Sequence, residues 1–390
     1  MSSDASPSRA IAPLDLLILG GGIAGLWTLA RARRAGYRAL LLENRALGGL
    51  QTLAAQGIIH GGTKYALGGR LSAAAQAVAE MPDRWRACLA GRGELDLRGV
   101  RLLSPHQYLW SDQRLGSRLA AFLGSRLMRG RVTPLNADRL PAPFDHPAFR
   151  GRLYRLDEPV LDLPSLIAEL HRQVGDACGF YRPGELRLEV QGVRLGNRLL
   201  AARRVLLAAG AGNAELVAAA GLPGPAMQRR PLHMVMARGA LPSLFAHALE
   251  ADHNPRLTVT SYPLADGRRL WYLGGNLAEK GVERSRAEQI EAARAELAEL
   301  LPWVDGEALE WATFAIDRAE VATAGGRRPD DCYLARHGRY LVAWPTKLAL
   351  APRLADQVLD QLGPPLAKGP LPELPPPPLA RPPWEEVRWN

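Results

Sequence analysis

Residues 14–44 read LDLLILGGGIAGLWTLARARRAGYRALLLEN, and the fold follows from this stretch. The run at residues 14–19 is apolar except for Asp15, which is too short for a helix but suits a buried parallel strand. Three glycines come next, then a helix with an apolar face that Gly36 ends, then a second apolar run at residues 39–42. The stretch therefore predicts a strand, a tight turn, a helix and a second strand.

The glycines have the spacing G-x-G-x-x-G, which is typical of a dinucleotide-binding turn. Gly20 permits the tight turn, Gly22 lets the backbone approach a pyrophosphate, and Gly25 lets the helix pack close to the strand. The pyrophosphate then lies on the helix N-terminus, where the chain reads Ile23 and Ala24. A glycine-rich turn of any other α/β protein is the alternative, which the ordered succession of strand, glycines, helix and strand disfavours.

An acidic residue ends the second strand. Glu43, followed by Asn44, comes about 20 residues after the glycines, where a carboxylate accepts hydrogen bonds from the hydroxyls of an adenosine ribose. A 2′-phosphate would favour a basic residue at this position. The sequence therefore predicts FAD or NAD, and not NADP.

The composition is that of a globular protein large enough for two domains. The chain has 390 residues, 47% of them hydrophobic, and a net charge of +10 that comes mostly from scattered arginines. This charge suits small anions or peripheral contact with a membrane surface. Nucleic acid is not expected as a partner, because no basic run lies beside aromatic residues.

Cysteine usage and the N-terminus indicate a cytoplasmic protein. Cys88, Cys178 and Cys332 are far apart and form no C-x-x-C pair, so neither a disulfide framework nor a metal site is expected. Residues 1–13 lack the basic and apolar regions of a signal peptide. The apolar stretch that follows contains Asp15 and several glycines, so we expect no membrane span.

A second glycine-rich segment, residues 48–69, reads GGLQTLAAQGIIHGGTKYALGG. Here the chain resembles the FAD-dependent oxidoreductases of the D-amino-acid oxidase type, which include glycine oxidase, hydroxyglutarate dehydrogenases and FAD-linked glycerol-3-phosphate dehydrogenase. Residues 57–65 look most like the glycerol-3-phosphate and hydroxyacid branch, in which this loop runs from the ribityl chain to the ring of the flavin. The segment departs from glycerol-3-phosphate dehydrogenases at Lys64, where they usually carry arginine.

Three later motifs appear in the order of the same family and favour FAD over NAD. Residues 205–212, VLLAAGAG, resemble its second dinucleotide motif, and residues 325–330, GGRRPD, resemble its G-x-R-P segment. Residues 345–348, PTKL, resemble its glycine-glycine-lysine-leucine turn, with Pro345 and Thr346 in place of both glycines. Besides the N-terminal motif residues named above, the resemblance implies FAD contacts from Gly49, Gln51, Thr52, Gly57, Ile59, His60, Gly61, Gly62, Ala209, Gly210, Thr346, Lys347 and Leu348.

The resemblance implies an α/β fold, α+β overall, in two parts. One is a discontinuous Rossmann-like FAD-binding domain of the glutathione-reductase type, and the other is a substrate-binding domain with a mixed β-sheet. The bounds we predict are 1–75, 155–222 and 331–363 for the FAD-binding domain and 76–154 and 223–330 for the substrate-binding domain. The proline-rich tail, residues 364–390, should be extended and pinned to the body by its tryptophans.

Finer predictions concern single elements. Residues 71–89 read as a helix, and residues 348–362 read as the last helix. Residues 186–190, 192–195 and 198–201 read as a meander that precedes a separate strand at residues 205–209.

The resemblance also implies which residues carry the chemistry. His233 matches the family's substrate-facing histidine and would take a hydroxyl proton, Arg328 would bind a carboxylate or phosphate, and Lys64 would add positive charge. A buried structural histidine and a solvated lysine are the alternatives for the first and the last. The predicted function is oxidation of a small anionic CH–OH compound, a hydroxy acid or a sugar or glycerol phosphate, by hydride transfer to flavin N5.

Other functions stay open at this stage. An amine or amino-acid oxidase of the glycine oxidase type is the first alternative, and a flavoprotein that only binds or transfers electrons to a partner is the second. A tRNA-modifying flavoprotein is disfavoured because no concentrated basic stripe is present. The sequence leaves the electron acceptor open between oxygen, a quinone and another partner.

Overall fold

A computed structural model of the chain describes residues 13–62, 73–111, 132–136, 140–249, 255–366 and 368–390. Its strands are, in chain order, β1 (Leu14–Leu19), β2 (Ala39–Glu43), β3 (Leu102–Ser104), β4 (Gln107–Ser111), β5 (Val132–Pro134), β6 (Arg152–Leu156), β7 (Val160–Leu161), β8 (Cys178–Phe180), β9 (Leu186–Glu189), β10 (Gly192–Leu195), β11 (Arg198–Leu207), β12 (Met227–Gly239), β13 (Ala246–Leu249), β14 (Pro255–Pro263), β15 (Arg269–Gly274), β16 (Glu310–Val321), β17 (Tyr333–His337) and β18 (Tyr340–Trp344). Its α-helices are α1 (Ile23–Arg34), α2 (Ala73–Val78), α3 (Met81–Leu89), α4 (Leu163–Val174), α5 (Asn213–Ala219), α6 (Asn276–Glu279), α7 (Arg286–Leu300), α8 (Ala351–Asp360) and α9 (Pro383–Glu386). Among the described residues, no helix has the length and apolarity needed to cross a membrane.

The first sheet has the order β17-β18-β11-β1-β2-β8, and β9 and β10 extend it beside β11. β1 pairs in parallel with β11 on one side and with β2 on the other. All residues of β1 are buried, as expected for a strand covered on both faces. The predicted Rossmann-like core is therefore present, with β17 and β18 returning to it from the end of the chain.

β11 corrects one prediction. We expected a meander strand at residues 198–201 and a separate strand at 205–209, with Arg203 and Arg204 between them. The structure has one strand, which pairs antiparallel with β10 at its start and parallel with β1 at its end. Both guanidinium groups reach carbonyl oxygens of residues 361–364, and Arg203 also pairs with the buried carboxylate of Asp15 at 3.1 Å.

One face of the first sheet is covered by helices. α1 lies between α4 and α8, and Leu26 and Trp27 pack into one core with residues of both neighbours. α4 begins after Asp162, because the side chain of Asp162 accepts a hydrogen bond from the amide of Ser165.

The predicted single helix at residues 71–89 is wrong. Its described part is two helices, α2 and α3, with a break at residues 79–80. Pro82 lies in the first turn of α3, where proline is tolerated, whereas in the interior of a longer helix it would break the hydrogen-bond ladder.

The second sheet has the order β16-β12-β15-β14-β13-β4-β6-β5 and is mixed, since β13 and β4 are parallel while the other pairs are antiparallel. Its outer face packs on α7, where Ile290 and Leu297 contact the layer that contains Val235. We call the opposite face the inner face. It turns towards the glycine-rich segment after β2, because the hydroxyl of Tyr272 donates to the carbonyl of Ala54 at 2.6 Å.

The proline-rich tail runs along both sheets. Its proline content predicted an extended conformation, and its tryptophans predicted contacts with the body of the protein. The amide of Phe180 donates to the carbonyl of Pro375 at 2.6 Å, and Leu47 exchanges hydrogen bonds with residues 378 and 380. Beyond that point Trp384 packs on Tyr262 of the second sheet, with ring centroids 4.4 Å apart. The tail therefore contacts both sheets and links them.

Candidate functional site

The turn after β1 has the geometry that its glycines predicted. Gly20 has φ +115°, and a Cβ at this position would lie 2.6 Å from the carbonyl oxygen of Ala208. A Cβ at Gly25 would overlap the carbonyl oxygen of Gly20, so only glycine lets α1 come this close to the strand. In front of Gly22 the nearest described atom to an added Cβ is Thr52 Oγ1, at 3.2 Å, so the space before the helix is not filled by the protein's own backbone.

The N-terminus of α1 is available to an anion. Its N-cap is Gly22, which has no side chain to cap the helix. The hydroxyl of Thr52 accepts a hydrogen bond from the amide of Ile23 at 3.1 Å, which holds the segment after β2 against the turn. Amides at such a helix end suit a pyrophosphate.

Glu43 lies at the carboxyl end of β2, over the same turn. Its carboxylate accepts hydrogen bonds from the amide of Gly21 at 2.6 Å and from the amides of Asn44 and Arg45 at 3.0 and 2.8 Å. The carboxylate is thus fixed beside the turn, where it suits the hydroxyls of a ribose. These groups together fit the adenosine diphosphate half of a dinucleotide.

The segment after β2 joins this turn to the second sheet. Gln51 lies between the two, since its amide nitrogen is 3.5 Å from the carbonyl of Ala319 and its oxygen is 3.2 Å from where a Cβ on Gly210 would lie. Gly57 has φ +73°, and a Cβ there would overlap the carbonyl of Leu161.

The second dinucleotide motif follows β11 directly. Gly210 has φ +56°, and its carbonyl accepts a hydrogen bond from the indole of Trp344 at 3.0 Å. The amide of Ala209 donates to the side chain of Asn213 at 2.8 Å. The motif is thereby held beside the carboxyl ends of β1 and β18.

The turn at residues 345–348 keeps a glycine-like backbone without glycine. Thr346 has φ +57°, a conformation that costs a β-branched residue about 1–2 kcal/mol. Its hydroxyl donates to the carbonyl of Asp331 at 3.0 Å, and Lys347 Nζ donates to the carbonyl of Asp330 at 2.6 Å. The predicted helix at 348–362 is shorter: a single 3₁₀ turn, Leu348–Leu350, precedes α8.

A cluster of charged side chains lies at the end of the inner face nearest to these motifs. Arg318 Nη2 donates to Glu279 Oε1 at 2.8 Å, and Arg328 Nη2 is 3.8 Å from the same oxygen. Arg230 pairs with Glu320, which also accepts a hydrogen bond from Gln228 at 3.0 Å.

Burial and mutual repulsion shape the charges of this cluster. Burial, and then the positive charges of Arg328 and Arg230, lower the pKa of Arg318 to about 10. Burial favours the neutral acid at Glu279, yet the hydrogen bond from Arg318 and the surrounding arginines hold its pKa below the usual range. Arg318 and Glu279 are therefore both charged at neutral pH.

A buried carboxylate fixes the glycine-rich loop against the second sheet. Glu158 is 3% exposed. Its side chain accepts hydrogen bonds from the amide of Gly61 at 2.8 Å and the side chain of Gln107 at 2.5 Å, and it lies 3.3 Å from His60 Nδ1. The imidazole of His60 stacks on that of His247 with centroids 5.7 Å apart. His60 is thus an oriented imidazole with a buried carboxylate on one nitrogen.

The sequence profile of the FAD-dependent oxidoreductase family (DAO) matches residues 15–346, which include both dinucleotide motifs and the charged cluster. The chain belongs to this family of FAD-dependent oxidoreductases. The residues that surround the turn after β1 fit the adenosine diphosphate of FAD, the cofactor of this oxidoreductase.

Individual relatives agree with the family match. The oxidoreductase is 52% identical over 380 residues to a Pseudomonas aeruginosa protein named "Probable FAD-dependent oxidoreductase PA4991", covering 95% of this chain and 97% of that one. The crystal structure of PA4991 superimposes with a TM-score of 0.83 at 47% identity over 97% and 99% of the two chains.

More distant structures share the fold. Glycine oxidase from Geobacillus kaustophilus has a TM-score of 0.64 at 20% identity over 90% of this chain and 95% of that one. L-alpha-glycerophosphate oxidase from Mycoplasma pneumoniae has a TM-score of 0.62 at 14% identity over 93% and 97%.

The structure does not bring His233 to the inner face of the oxidoreductase. His233 pairs with Ala315 across the strands and shares the outer face with Val235. Its ring nitrogens lie 3.0 Å from the carbonyl of Gly281 and 3.0 Å from the hydroxyl of Thr313, and the residue is buried under α7. This is the structural role that was the alternative for this histidine. Lys64 lies outside the described residues.

Two groups of the site were missed by sequence reasoning. Glu158 follows Asp157 in a segment that looked like an ordinary loop, and Arg318 is one arginine among many. A carboxylate between an aspartate and a proline, and an arginine in an alternating strand, are weak signals. Only the pairing of distant segments reveals their partners His60 and Glu279.

Proposed function

We propose that the protein oxidises a small anionic substrate at a CH–OH carbon. When bound, FAD supplies the acceptor for the hydride that leaves this carbon. The observation that carries the proposal is the pairing of His60 with the buried carboxylate of Glu158, beside a loop that resembles the hydroxyacid branch of the family. The residues named from that resemblance, other than His233, and the domain bounds given with it are part of the proposal.

An anionic substrate is supported by the charges of the inner face. Arg328 belongs to the G-x-R-P segment and lies within 3.8 Å of Glu279, together with Arg318. Guanidinium groups bind carboxylate and phosphate with two parallel hydrogen bonds. A neutral substrate would leave this partly desolvated positive charge without a matching anion.

Oxidation of an alcohol rather than an amine is supported by His60. An alcohol must lose its hydroxyl proton as the hydride leaves, whereas an amine can react once it is deprotonated in solution. An imidazole accepts a proton near neutral pH. The carboxylate of Glu158, which lies beside Nδ1, stabilises the imidazolium that results and fixes the ring orientation.

The test is to mix the FAD-loaded protein anaerobically with hydroxy acids, glycerol phosphates and amino acids and to follow the visible absorbance of the flavin. We expect bleaching by an anionic hydroxy compound. Bleaching by glycine or other amino acids alone would make amine oxidation the function. No bleaching by any class would favour a role in binding or electron transfer, in which the flavin reacts only with a partner.

His60→Asn is expected to lower kcat by about 10²- to 10⁴-fold with little change in KM, because it removes the proton acceptor but no substrate charge contact. Glu158→Gln keeps the hydrogen-bonding shape but removes the charge, so we expect a loss on the order of tenfold. The matched control is His233→Asn, which replaces the outer-face histidine and should leave kcat within about threefold. Equal losses of kcat in the His60→Asn and His233→Asn variants would contradict the assignment of His60 as the proton acceptor.

A further inference from the structure

Two arginines face each other across neighbouring strands of the inner face. Arg230 on β12 is directly paired with Arg318 on β16 in the antiparallel register. Like charges directly opposite each other destabilise a sheet, so this arrangement calls for negative charge nearby. Glu320 supplies it for Arg230.

Unlike Arg230, Arg318 shares its carboxylate partner, Glu279, with a second arginine, Arg328. Its Nε is buried, and among the described residues no acceptor lies within hydrogen-bonding distance of this atom. A buried guanidinium that lacks an acceptor on one nitrogen is costly unless a ligand supplies one.

We propose that Arg318 selects substrates by charge, binding a second anionic group while Arg328 binds the first, and that Glu279 is the counterion that this group displaces. The inference rests on the proposed function and narrows its substrate to a doubly negative one, a dicarboxylate or a phosphate ester. The three arginines of the cluster carry three positive charges against the two negative charges of Glu279 and Glu320. Once Glu279 is displaced, only Glu320 opposes them, and the remaining net charge of +2 matches a doubly negative ligand.

The arrangement also explains why Glu279 is present. Without a substrate, the repulsion between the partly buried guanidinium groups of Arg318 and Arg328 is unfavourable, and the carboxylate of Glu279 offsets it. α6, which carries Glu279, is a single short helix that follows β15 through Gly275 at φ +80°. Because the carboxylate of Glu279 already pairs with Arg318 and Arg328, it competes with an incoming anion for the same donors.

The experiment measures ligand binding to the oxidised, FAD-loaded protein from the change in flavin absorbance, so it needs no turnover. Two matched pairs of a doubly and a singly negative probe are used: 2-oxoglutarate against 2-oxopentanoate, and dihydroxyacetone phosphate against hydroxypyruvate. We expect one doubly negative probe to bind at least about tenfold more tightly than its partner. The pair that shows the difference distinguishes a dicarboxylate from a phosphate substrate.

Three variants, one of them a control, test the roles of Arg318 and Glu279. Arg318→Met should remove the preference for the doubly negative probe by about tenfold and leave the matched probe unchanged, while Arg327→Met, an exposed neighbour of Arg328, should change neither. Glu279→Gln should tighten binding of the doubly negative probe by at least about threefold, because the competing carboxylate is gone. A purely structural role of the cluster predicts weaker binding instead.

Equal weakening of both probes by Arg318→Met, or weaker binding in Glu279→Gln, would overturn the inference. Thermal unfolding of each variant shows whether the fold is intact. If the wild-type protein prefers no doubly negative probe, the inference fails even when hydroxy acids bleach the flavin. If amino acids alone bleach it, the proposed function fails while the binding preference can still be measured.

Discussion

Gly22→Val is expected to give a folded protein that contains no flavin. The φ of Gly22 is −74°, which any residue adopts, and the nearest described atom to an added Cβ is a hydroxyl oxygen at 3.2 Å. Small shifts of the neighbouring atoms therefore make room for the valine side chain in the protein itself. The valine would occupy the space in front of α1 in which a pyrophosphate must lie.

We expect FAD affinity to fall by at least about 100-fold, which corresponds to about 2.7 kcal/mol. The measurement is the ratio of flavin to protein absorbance after purification, followed by titration of the apoprotein with FAD. Gly306→Val is the matched control, because Gly306 lies far along the chain and its nearest atom to an added Cβ is 3.9 Å away. Stoichiometric FAD in the Gly22→Val protein would show that the pyrophosphate lies elsewhere.

Gly25→Val separates cofactor binding from folding. A Cβ there would overlap the carbonyl of Gly20, so α1 would have to move away from β1. Whereas Gly22→Val should melt close to the wild-type apoprotein, Gly25→Val should melt well below it. Equal melting temperatures would mean that the close contact of helix and strand is not required.

Removal of residues 364–390 is expected to have the largest effect on stability. Leu371 and Leu374 pack on the face of the first sheet that the α1, α4 and α8 layer does not cover, and Trp384 covers the buried ring of Tyr262. Loss of these apolar contacts should cost on the order of 5 kcal/mol, comparable to the whole stability of many domains. We expect aggregation, or a fall in melting temperature of about 10 °C or more.

A shorter truncation locates the effect. Removal of residues 382–390 keeps the hydrogen bonds of Leu47 to residues 378 and 380 but removes Trp384 and Trp389. It should destabilise the second sheet and leave FAD affinity within about threefold of wild type. Trp384→Ala alone removes the contact with Tyr262. The share of the fall in melting temperature that this variant reproduces therefore measures the contribution of that contact. A melting temperature unchanged by the full truncation would refute a structural role for the tail.

The sequence predicted the dinucleotide turn because its determinants are local. A glycine with positive φ, a helix that needs a glycine to approach its strand, and an acid at the end of the next strand all lie within residues 14–44. Backbone sterics and hydrophobic periodicity act over the same short distance. The motif at Gly210 and the turn at Thr346 could be recognised for the same reason.

The face on which a side chain lies was decided only by the tertiary structure. His233 and its neighbours Leu232 and Met234 alternate along β12, and the sequence does not say which set lies on the inner face and which meets α7. A shift of one residue exchanges the two faces of a strand. The register with β16 places His233 on the outer face.

Contacts between distant segments decided which side chains His60 and Arg318 pair with. His60 meets Glu158 from 98 residues away, and Arg318 meets Glu279 from 39 residues away, across elements whose order in the sheet is not their order in the chain. These pairs depend on how two sheets and a tail pack together, and no local pattern encodes that. The sequence thus determined the dinucleotide turn, and the tertiary structure determined which charged side chains meet on the inner face, because sheet register and packing are properties of the whole chain.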